Sequence, residues 1–166
     1  DNPRIAGLRK EAFETFRLLG FPDTKVEKWR NSDLSRVLDR SYTFRVEPEP
    51  QNTNARDLFR CEVPGFDTTS VTVLNGWYLN GGKLLTTYDN GLVIGSLRAA
   101  FTAFPDLVEK HYGRYADFKS NGLAALNTAL AMDGVFIYVP DNVVVDKPIQ
   151  MVSLINMKED SMIQLR

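Results

Sequence analysis

The C-terminal part of the chain alternates short apolar runs with polar corners, and this alternation constrains the fold more strongly than any other feature. The apolar runs cover residues 136–139, 143–145, 149–155 and 162–165, and proline, aspartate, asparagine, lysine and glutamate occupy the corners between them. Runs of this length predict strands, and the gaps leave no room for helices. Successive strands and corners favour a β-solenoid, in which each coil buries its inner face on the next. A β-sandwich is the alternative fold.

A solenoid built from these residues would hold little more than one coil. Its stacking face would stay uncovered unless further coils or a cap followed, because each coil contacts only its neighbours. We therefore expect the chain to be cut from a longer protein after Arg166, and also before Asp1, since it does not begin with methionine. An isolated segment of this kind could pair with a second copy of itself through the open face.

The N-terminal part is predicted to be helical. Apolar residues recur there at steps of three and four, which places them in one stripe on a helix that Gly20 and Pro22 end. The stripe consists of Ile5, Leu8, Ala12, Phe16 and Leu19. A charged turn or short helix follows over residues 25–29, and Ser32 is predicted to cap a further amphipathic turn. Prolines and polar residues over 42–54 predict a surface linker, so residues 1–54 form the first predicted part of the chain.

A small sheet is predicted beyond the linker. Residues 71–74, 77–79, 84–87 and 92–94 are strand-like, with turn-forming pairs at 75–76, 81–82 and 90–91. A helical passage is then predicted from about residue 98 to residue 112, with an interruption near Pro105 and a stop at Gly113.

A further helix is predicted over residues 122–132. Leu123, Leu126 and Leu130 share one face of it, and Gly134 is predicted to end it in the left-handed conformation. Residues 55–134 thus form a second, small α+β part, and residues 135–166 form the truncated first coil of a solenoid.

The composition is that of an ordinary globular chain, with 43% hydrophobic and 25% charged residues. The formal net charge of -1, without a long basic or acidic block, predicts neither nucleic acid nor a membrane surface as a partner. No apolar stretch approaches the length that spans a bilayer, and the first residues lack the apolar core of a secretory signal. Cys61 is the only cysteine, so an intrachain disulfide is excluded and a reducing compartment, the cytoplasm, is the simplest interpretation.

Single reactive side chains do not form a predicted active site. Cys61 alone cannot hold an iron-sulfur cluster, and His111 alone cannot form a site with two imidazole ligands. We interpret Cys61 as structural or incidental and His111 as a cation at a helix C-terminus. Residues 76–83 depart from the phosphate-loop pattern, because Trp77 stands where its first glycine belongs and Leu84 follows Lys83.

The remaining polar and aromatic candidates also have structural interpretations. Trp29 and Arg30 are residue types that anchor partners, but tethering within the helical region is the favoured interpretation. The aspartates at predicted caps and corners are Asp33, Asp39, Asp141 and Asp146. Nothing pairs them as an acid and a base. The sequence therefore predicts no enzyme activity, and it predicts no catalytic, cofactor-binding or metal-binding residue in this segment.

Residues 126–149 carry a specific resemblance to a known family. The matching runs are Leu126-Asn127-Thr128-Ala129-Leu130, Asp133-Gly134-Val135-Phe136-Ile137-Tyr138-Val139-Pro140, residues 143–145 and Lys147-Pro148-Ile149. In these runs the chain resembles the SufB/SufD family of iron-sulfur cluster assembly proteins. Weaker likenesses occur at Gly20-Phe21-Pro22, at Trp29-Arg30, over 73–77 and over 91–97. Within the family, residues 118–140 and the helical opening resemble the SufD branch more than the SufB branch.

The resemblance implies an α+β fold that leads into the start of a right-handed parallel β-helix. It also implies a complex with the SufB paralogue and the ATPase SufC, in which iron-sulfur clusters are built. The family's ATPase-binding segment and cluster interface lie in a C-terminal part that these residues do not reach. The resemblance therefore implies a noncatalytic scaffold role, with no cofactor in this segment and a transient cluster only at the level of the complex.

An alternative hypothesis is the N-terminal part of a carbohydrate-active β-solenoid enzyme whose catalytic acids lie on later coils. That class of enzyme would place clustered aspartates or glutamates on one face of successive strands. The strands predicted here carry apolar residues at the corresponding positions. The scaffold hypothesis is therefore favoured.

Overall fold

Helix α1 extends over Pro3–Leu19. In the computed structural model, which describes residues 2–48 and 67–156 and the backbone of Ser161–Met162, the Asn2 side chain caps this helix by accepting the Arg4 N–H at 2.9 Å. Gly20 ends it with a φ of 65°, a left-handed value that glycine adopts without steric cost. The predicted helix and its stop are confirmed, although Leu19 is exposed and does not belong to the buried stripe.

Two short helical segments follow, a 3-10 turn over Glu27–Trp29 and helix α2 over Ser35–Leu38. The prediction that Ser32 caps the second segment is wrong. The Asp33 carboxylate accepts the Ser35 N–H at 2.9 Å instead, and this hydrogen bond to the charged form lowers the pKa of Asp33.

The strands form three small sheets in the described residues. The largest pairing is parallel, between β2 (Thr69–Leu74) and β7 (Ile149–Leu154), and β3 (Trp77–Leu79) lies antiparallel on the other side of β2. A second sheet has the order β4 (Leu85–Thr87), β5 (Val93–Ser96) and β6 (Val135–Tyr138), all antiparallel. The two-residue strands β1 (Thr43–Phe44) and β8 (Ser161–Met162) pair in parallel.

Three further helices confirm the predicted helical passages. They are α3 (Leu97–Ala103), α4 (Pro105–His111) and α5 (Gly122–Leu130). Pro105 occupies the first turn of α4, where its missing N–H has no intrahelical partner to lose, and Gly113 follows with a φ of 70°. The prediction for Gly134 is wrong, because α5 already ends at Leu130 and Gly134 does not have a positive φ.

The described residues form two compact units. A helical unit contains 2–45 and 104–131 together with strand β8, and a sheet unit contains 46–48, 67–103 and 132–156. The predicted three-part division at residues 54 and 134 stays a prediction, since its first boundary lies outside the described residues. The predicted corner at 158–160, residues 49–54 of the predicted linker and residues 163–165 of the last predicted strand also lie outside the described residues.

Small residues bring the helices of the helical unit together. Its core contains the buried side chains of Ala12, Phe118, Ala125 and Ala129. Gly122 lies so close to the chain at Gly20 that a Cβ atom on Gly122 would stand 1.9 Å from the Gly20 carbonyl oxygen. Alanine and glycine at these positions let α1 and α5 approach closely, because they place little side chain between the two backbones.

The core of the sheet unit joins both of its sheets. Val71 of β2 packs with Leu92 and Ile94 of the β5 region, and half-buried side chains that include Val145 and Ile149 pack against them. The predicted strand at 143–145 is wrong, because these residues join no ladder; Val145 packs against this core and Val144 is exposed. The Val143 N–H instead donates to the Pro140 carbonyl in a turn, where Asn142 has a φ of 63°.

Candidate assembly surface

Strand β7 presents the open edge of the sheet that contains β2. Its register with β2 runs from Thr69 opposite Ile149 to Leu74 opposite Leu154. Within the described ranges β2 is its only neighbour. Parallel pairing alternates the peptide groups between the two edges of a strand. Because Thr69 and Asn75 donate to the carbonyls of Pro148 and Leu154, the peptide N–H groups of Met151 and Ser153 point to the open edge.

Exposed apolar side chains accompany this open edge. Met151 is 59% exposed and Ile155 is 75% exposed, whereas Val152 between them is buried. We call the exposed side chains of Met151 and Ile155 together with the open edge of β7 the β7 surface. Unpaired peptide groups next to apolar side chains can accept another strand.

Asn75 fixes the far end of the β2–β7 pair. Its side-chain Nδ2 donates to the Asn156 carbonyl at 2.9 Å, and its Oδ1 accepts the Asn156 N–H at 2.7 Å. Its own N–H donates to the Leu154 carbonyl at 2.9 Å. The side chain thus takes the place of a peptide group and extends the ladder to Asn156, two residues beyond the end of β7.

Asp133 connects three elements of the sheet unit through hydrogen bonds to its side chain. Its carboxylate is buried and accepts three hydrogen bonds, from the Ser96 hydroxyl at 2.8 Å and from the backbone N–H groups of Tyr78 and Arg98 at 3.0 Å each. The Ser96 oxygen in turn accepts the Ala99 N–H at 3.1 Å and so caps α3. One buried carboxylate therefore joins β3, β5 and α3, and its environment satisfies its lone pairs.

Burial also affects a neighbouring phenol. The Tyr78 side chain is half-buried, and its removal from water raises the pKa of the hydroxyl, with smaller contributions from Tyr88 and Asp133. Tyr78 stays neutral near neutral pH and packs against the core of the sheet unit. It serves packing in this arrangement.

The predicted single-residue candidates remain dispersed. His111 lies at the last position of α4, as predicted, and stacks on the exposed ring of Tyr115 at a centroid distance of 5.8 Å. Arg30 pairs with Glu27 at 3.2 Å, and Trp29 is half-buried beside it. Cys61 lies outside the described residues. The structure brings none of the described candidates together.

Turns occupy the segment that has a superficial likeness to a phosphate loop. Asn75 and Gly76, with φ values of 52° and 85°, join β2 to β3 in the left-handed turn that an Asn-Gly pair favours. Gly81 and Gly82 follow with φ values of 54° and 89°. The turns predicted at 75–76 and 81–82 and the strand predicted between them are confirmed.

No membrane-spanning candidate occurs among the helices of the described residues. In the same residues, no three histidine, cysteine, aspartate or glutamate side chains lie together in a way that could hold a metal ion. The prediction that this segment supplies no cluster ligand stays a prediction, since Cys61 lies beyond them.

Sequence reasoning missed the roles of Asp133 and Asn75. In the sequence Asp133 is a lone carboxylate between an apolar helix and an apolar strand, where burying a charge without a partner would cost much free energy. That position was the available signal for a buried structural acid. Asn75 gave a turn signal only, since no sequence pattern pointed to its partner at Asn156.

Comparison with known proteins matches the chain to one family. The model of the SufBD protein N-terminal region matches residues 2–151. A chloroplastic iron-sulfur cluster assembly SufBD family protein of Arabidopsis thaliana is 36% identical over 74 residues, which make up 45% of this chain and 13% of that protein. An iron-sulfur cluster assembly SufBD family protein of Staphylococcus aureus strain USA300 is 28% identical over 144 residues, or 79% of this chain and 31% of that protein.

The chain thus spans a third or less of the length of these curated relatives. No solved structure matches it. The family model covers most of the chain and includes the helices of both units and the strands from β1 to the middle of β7. The chain therefore belongs to the SufBD family of iron-sulfur cluster assembly proteins and carries the N-terminal region of that family.

Proposed function

We propose that this segment is the N-terminal region of a SufD-type scaffold subunit, which takes no catalytic part itself and works with a SufB paralogue and the SufC ATPase. The observation that carries the proposal is the family match over residues 2–151. The iron-sulfur cluster is the cargo of the whole complex, and this segment supplies no resident cofactor. The alternative of a carbohydrate-active solenoid enzyme gains no support from the family match.

The experiment that tests this function is affinity purification of the full-length protein from its own cells, followed by mass spectrometry of the bound proteins. Recovery of a separate SufB polypeptide and of SufC supports the SufD assignment. Recovery of a SufD polypeptide and SufC, with no second SufB, assigns the protein to the SufB branch. Recovery of neither partner contradicts the scaffold role.

We further propose that β7 belongs to the first coil of a right-handed parallel β-helix. The parallel β2–β7 pair supports this, as do the peptide groups on the outer edge of β7 that face no other described strand, because each coil of a β-helix pairs in parallel with the next. In the full-length protein the next coil would then cover the β7 surface.

A proline at Ser153 tests the covered edge. The Ser153 N–H points away from β2, so Ser153→Pro removes a donor on the open side and leaves the β2–β7 bonds in place. If the edge is paired, the full-length protein loses about 1 to 3 kcal/mol of stability, the cost of unsatisfied backbone groups in a ladder. Stability equal to that of the parent protein would contradict a paired edge. Val152→Pro, which breaks the β2–β7 ladder in either case, is the positive control.

We propose that the isolated segment pairs with a second copy through the same surface. Exposed Met151 and Ile155 support this, because they lie beside an edge that no other strand of the described ranges pairs with, and such edges pair with other chains. Sedimentation of the segment should show a concentration-dependent dimer that Met151→Lys weakens. The matched control is the same change to lysine at exposed Val37, which lies in the helical unit.

We also propose a cytoplasmic location, which rests on the single cysteine. Fractionation of the source cells tests it.

A further inference from the structure

Four Asn-Gly dipeptides occur in this chain, at 75–76, 80–81, 90–91 and 121–122. In such a pair the glycine nitrogen can attack the asparagine Cγ, because glycine places no side chain in the way. The bond from this nitrogen to Cγ forms, the Cγ–Nδ2 bond breaks and ammonia leaves, which gives a succinimide. Water then opens the ring to aspartate or isoaspartate, so the net change is gain of water and loss of ammonia.

Asn75 is held against this reaction. The Nδ2 and Oδ1 atoms of its side chain both form hydrogen bonds to the backbone of Asn156, and the residue is only 8% exposed. Cyclisation would require both hydrogen bonds to break, and it would also turn the side chain out of the β2–β7 ladder. The structure therefore protects this pair most strongly.

Asn121 is held by the start of a helix. Its Oδ1 caps α5 by accepting the Ala124 N–H at 3.1 Å, and its carbonyl accepts the Ala125 N–H at 2.9 Å. Its ψ of 111° directs the following nitrogen away from its own side chain. Gly122 also packs against the Gly20 carbonyl, which leaves little room for the rotation that ring closure needs.

Asn90 is held by a hairpin turn. Its Oδ1 accepts the Leu92 N–H at 3.1 Å. The attacking nitrogen of Gly91 is itself engaged, because its N–H donates to the Tyr88 carbonyl at 2.9 Å. A Cβ at Gly91 would lie 3.1 Å from the Pro140 ring, so this turn is also crowded.

Asn80 lies in a more open place. The residue is exposed in the loop between β3 and β4, and the positions of a Cβ on Gly81 and Gly82 meet no atom within 4 Å. Its side chain bonds the Tyr78 hydroxyl, and its carbonyl accepts the Lys83 N–H at 2.9 Å. Within the described part of the chain, the Gly81 N–H donates no hydrogen bond, so the attacking nitrogen of this pair is not engaged.

We infer that Asn80 is the site of spontaneous deamidation in the folded protein, with water as co-reactant, and that the other three Asn-Gly pairs are protected by the fold. Conversion places a new carboxylate beside Lys83 in the β3–β4 loop and leaves both sheets intact. The reaction needs no enzyme.

Peptide mapping by mass spectrometry tests the inference on the purified full-length protein. One sample is aged in native buffer at mildly alkaline pH, and a second is aged in denaturant. Each asparagine is followed by the mass gain that accompanies exchange of its amide for a carboxyl. The unfolded sample is the internal control, because all four sites share the Asn-Gly sequence and lose their structural differences there.

Ring closure at Asn80 must break its hydrogen bond to Tyr78, whereas each of the other three pairs is held by at least one further hydrogen bond or close contact. In native buffer Asn80 should therefore convert about tenfold or more faster than the other three, since each additional hydrogen bond that must first break slows a reaction by about that factor. In denaturant the four rates should converge. Asn80→Gln should remove the fast conversion, and Asn90→Gln should leave it unchanged. Native conversion at Asn75, Asn90 or Asn121 that matches or exceeds the rate at Asn80 would overturn the inference, as would strong protection of Asn80 relative to the unfolded sample.

Discussion

The side-chain amide of Asn75 and the backbone of Asn156 form a closed pair of hydrogen bonds, 2.9 Å from Nδ2 to the carbonyl oxygen and 2.7 Å from the N–H to Oδ1. Asn75 also has a φ of 52°, a left-handed value that asparagine adopts more readily than most residues. One residue thus supplies both the turn into β3 and the last rung of the β2–β7 ladder.

Asn75→Gly should therefore destabilise the protein by about 1 to 3 kcal/mol, because glycine keeps the left-handed turn but leaves the Asn156 groups without their partner. Asn142→Gly is the matched control. Asn142 also has a positive φ, of 63°, but it is exposed, so this change should stay within about 0.5 kcal/mol. Denaturant unfolding monitored by circular dichroism measures both. Equal stability of the two variants would show that the amide pair contributes nothing.

Asp133→Asn is expected to destabilise the sheet unit by about 1 to 3 kcal/mol, since it sets a new N–H donor against donors that now bond a carboxylate. At present both oxygens accept, Oδ1 from Ser96 and Arg98 and Oδ2 from Tyr78. In either orientation, an asparagine amide accepts only part of that set of hydrogen bonds, because its NH2 group faces the remaining donor or donors. Asp146→Asn, at an exposed corner, should cost less than about 0.5 kcal/mol. Chemical unfolding of the two variants decides the point, and a similar loss from both would contradict the bracing role.

The elements that were predictable from the sequence are those that local chemistry decides. Helix α1 follows from its apolar spacing and Gly20, and the β2–β3 hairpin follows from Asn75-Gly76. The break at Pro105 follows from a fixed φ and a missing N–H. In each case one or a few neighbouring residues carry the whole signal.

The sequence-based predictions failed where contacts between residues distant in the sequence determine the local structure. Residues 143–145 have strand-forming side chains but join no ladder, because Val145 packs against the core of the sheet unit and Val144 faces solvent. The pairing of β7 with β2 joins segments that no local pattern links. Ser32 lost its predicted role to Asp33, because the two neighbours offer similar cap chemistry and the turn geometry selects between them. An open face and a strand over 149–155 were anticipated, but the parallel register of β7 with β2 was not.

The close approach of α5 to Gly20 predicts that Gly122→Ala destabilises the helical unit by more than about 1 kcal/mol, since the new methyl meets a backbone oxygen that cannot rotate away. Gly7→Ala is a control with the opposite expected sign. Gly7 lies in α1, and a Cβ there meets nothing within 4 Å, so alanine should add about 0.5 to 1 kcal/mol through its higher helix propensity. Thermal and denaturant unfolding report both. A tolerated Gly122→Ala would mean that the two segments are not in contact in solution.

The ion pair that ties α1 to α4 predicts a pH dependence. The Glu109 carboxylate accepts a hydrogen bond from Asn2 at 2.9 Å and pairs with Arg4, and these bonds, the one from Asn2 first, lower the pKa of Glu109. A carboxyl whose pKa is lower in the folded than in the unfolded chain stabilises the fold above its unfolded-state pKa. That contribution disappears as the pH falls through the lower, folded-state pKa.

Glu109→Gln should therefore be less stable than the parent protein at neutral pH, and the gap should close as the solution is acidified below the usual range of glutamate. Unfolding midpoints measured at a series of pH values test this. Glu47→Gln, which changes an exposed glutamate elsewhere, is the matched control. A gap between Glu109→Gln and the parent that persists unchanged into acid would assign the effect to lost side-chain packing, because a charge interaction must vanish once the carboxyl is protonated in both states.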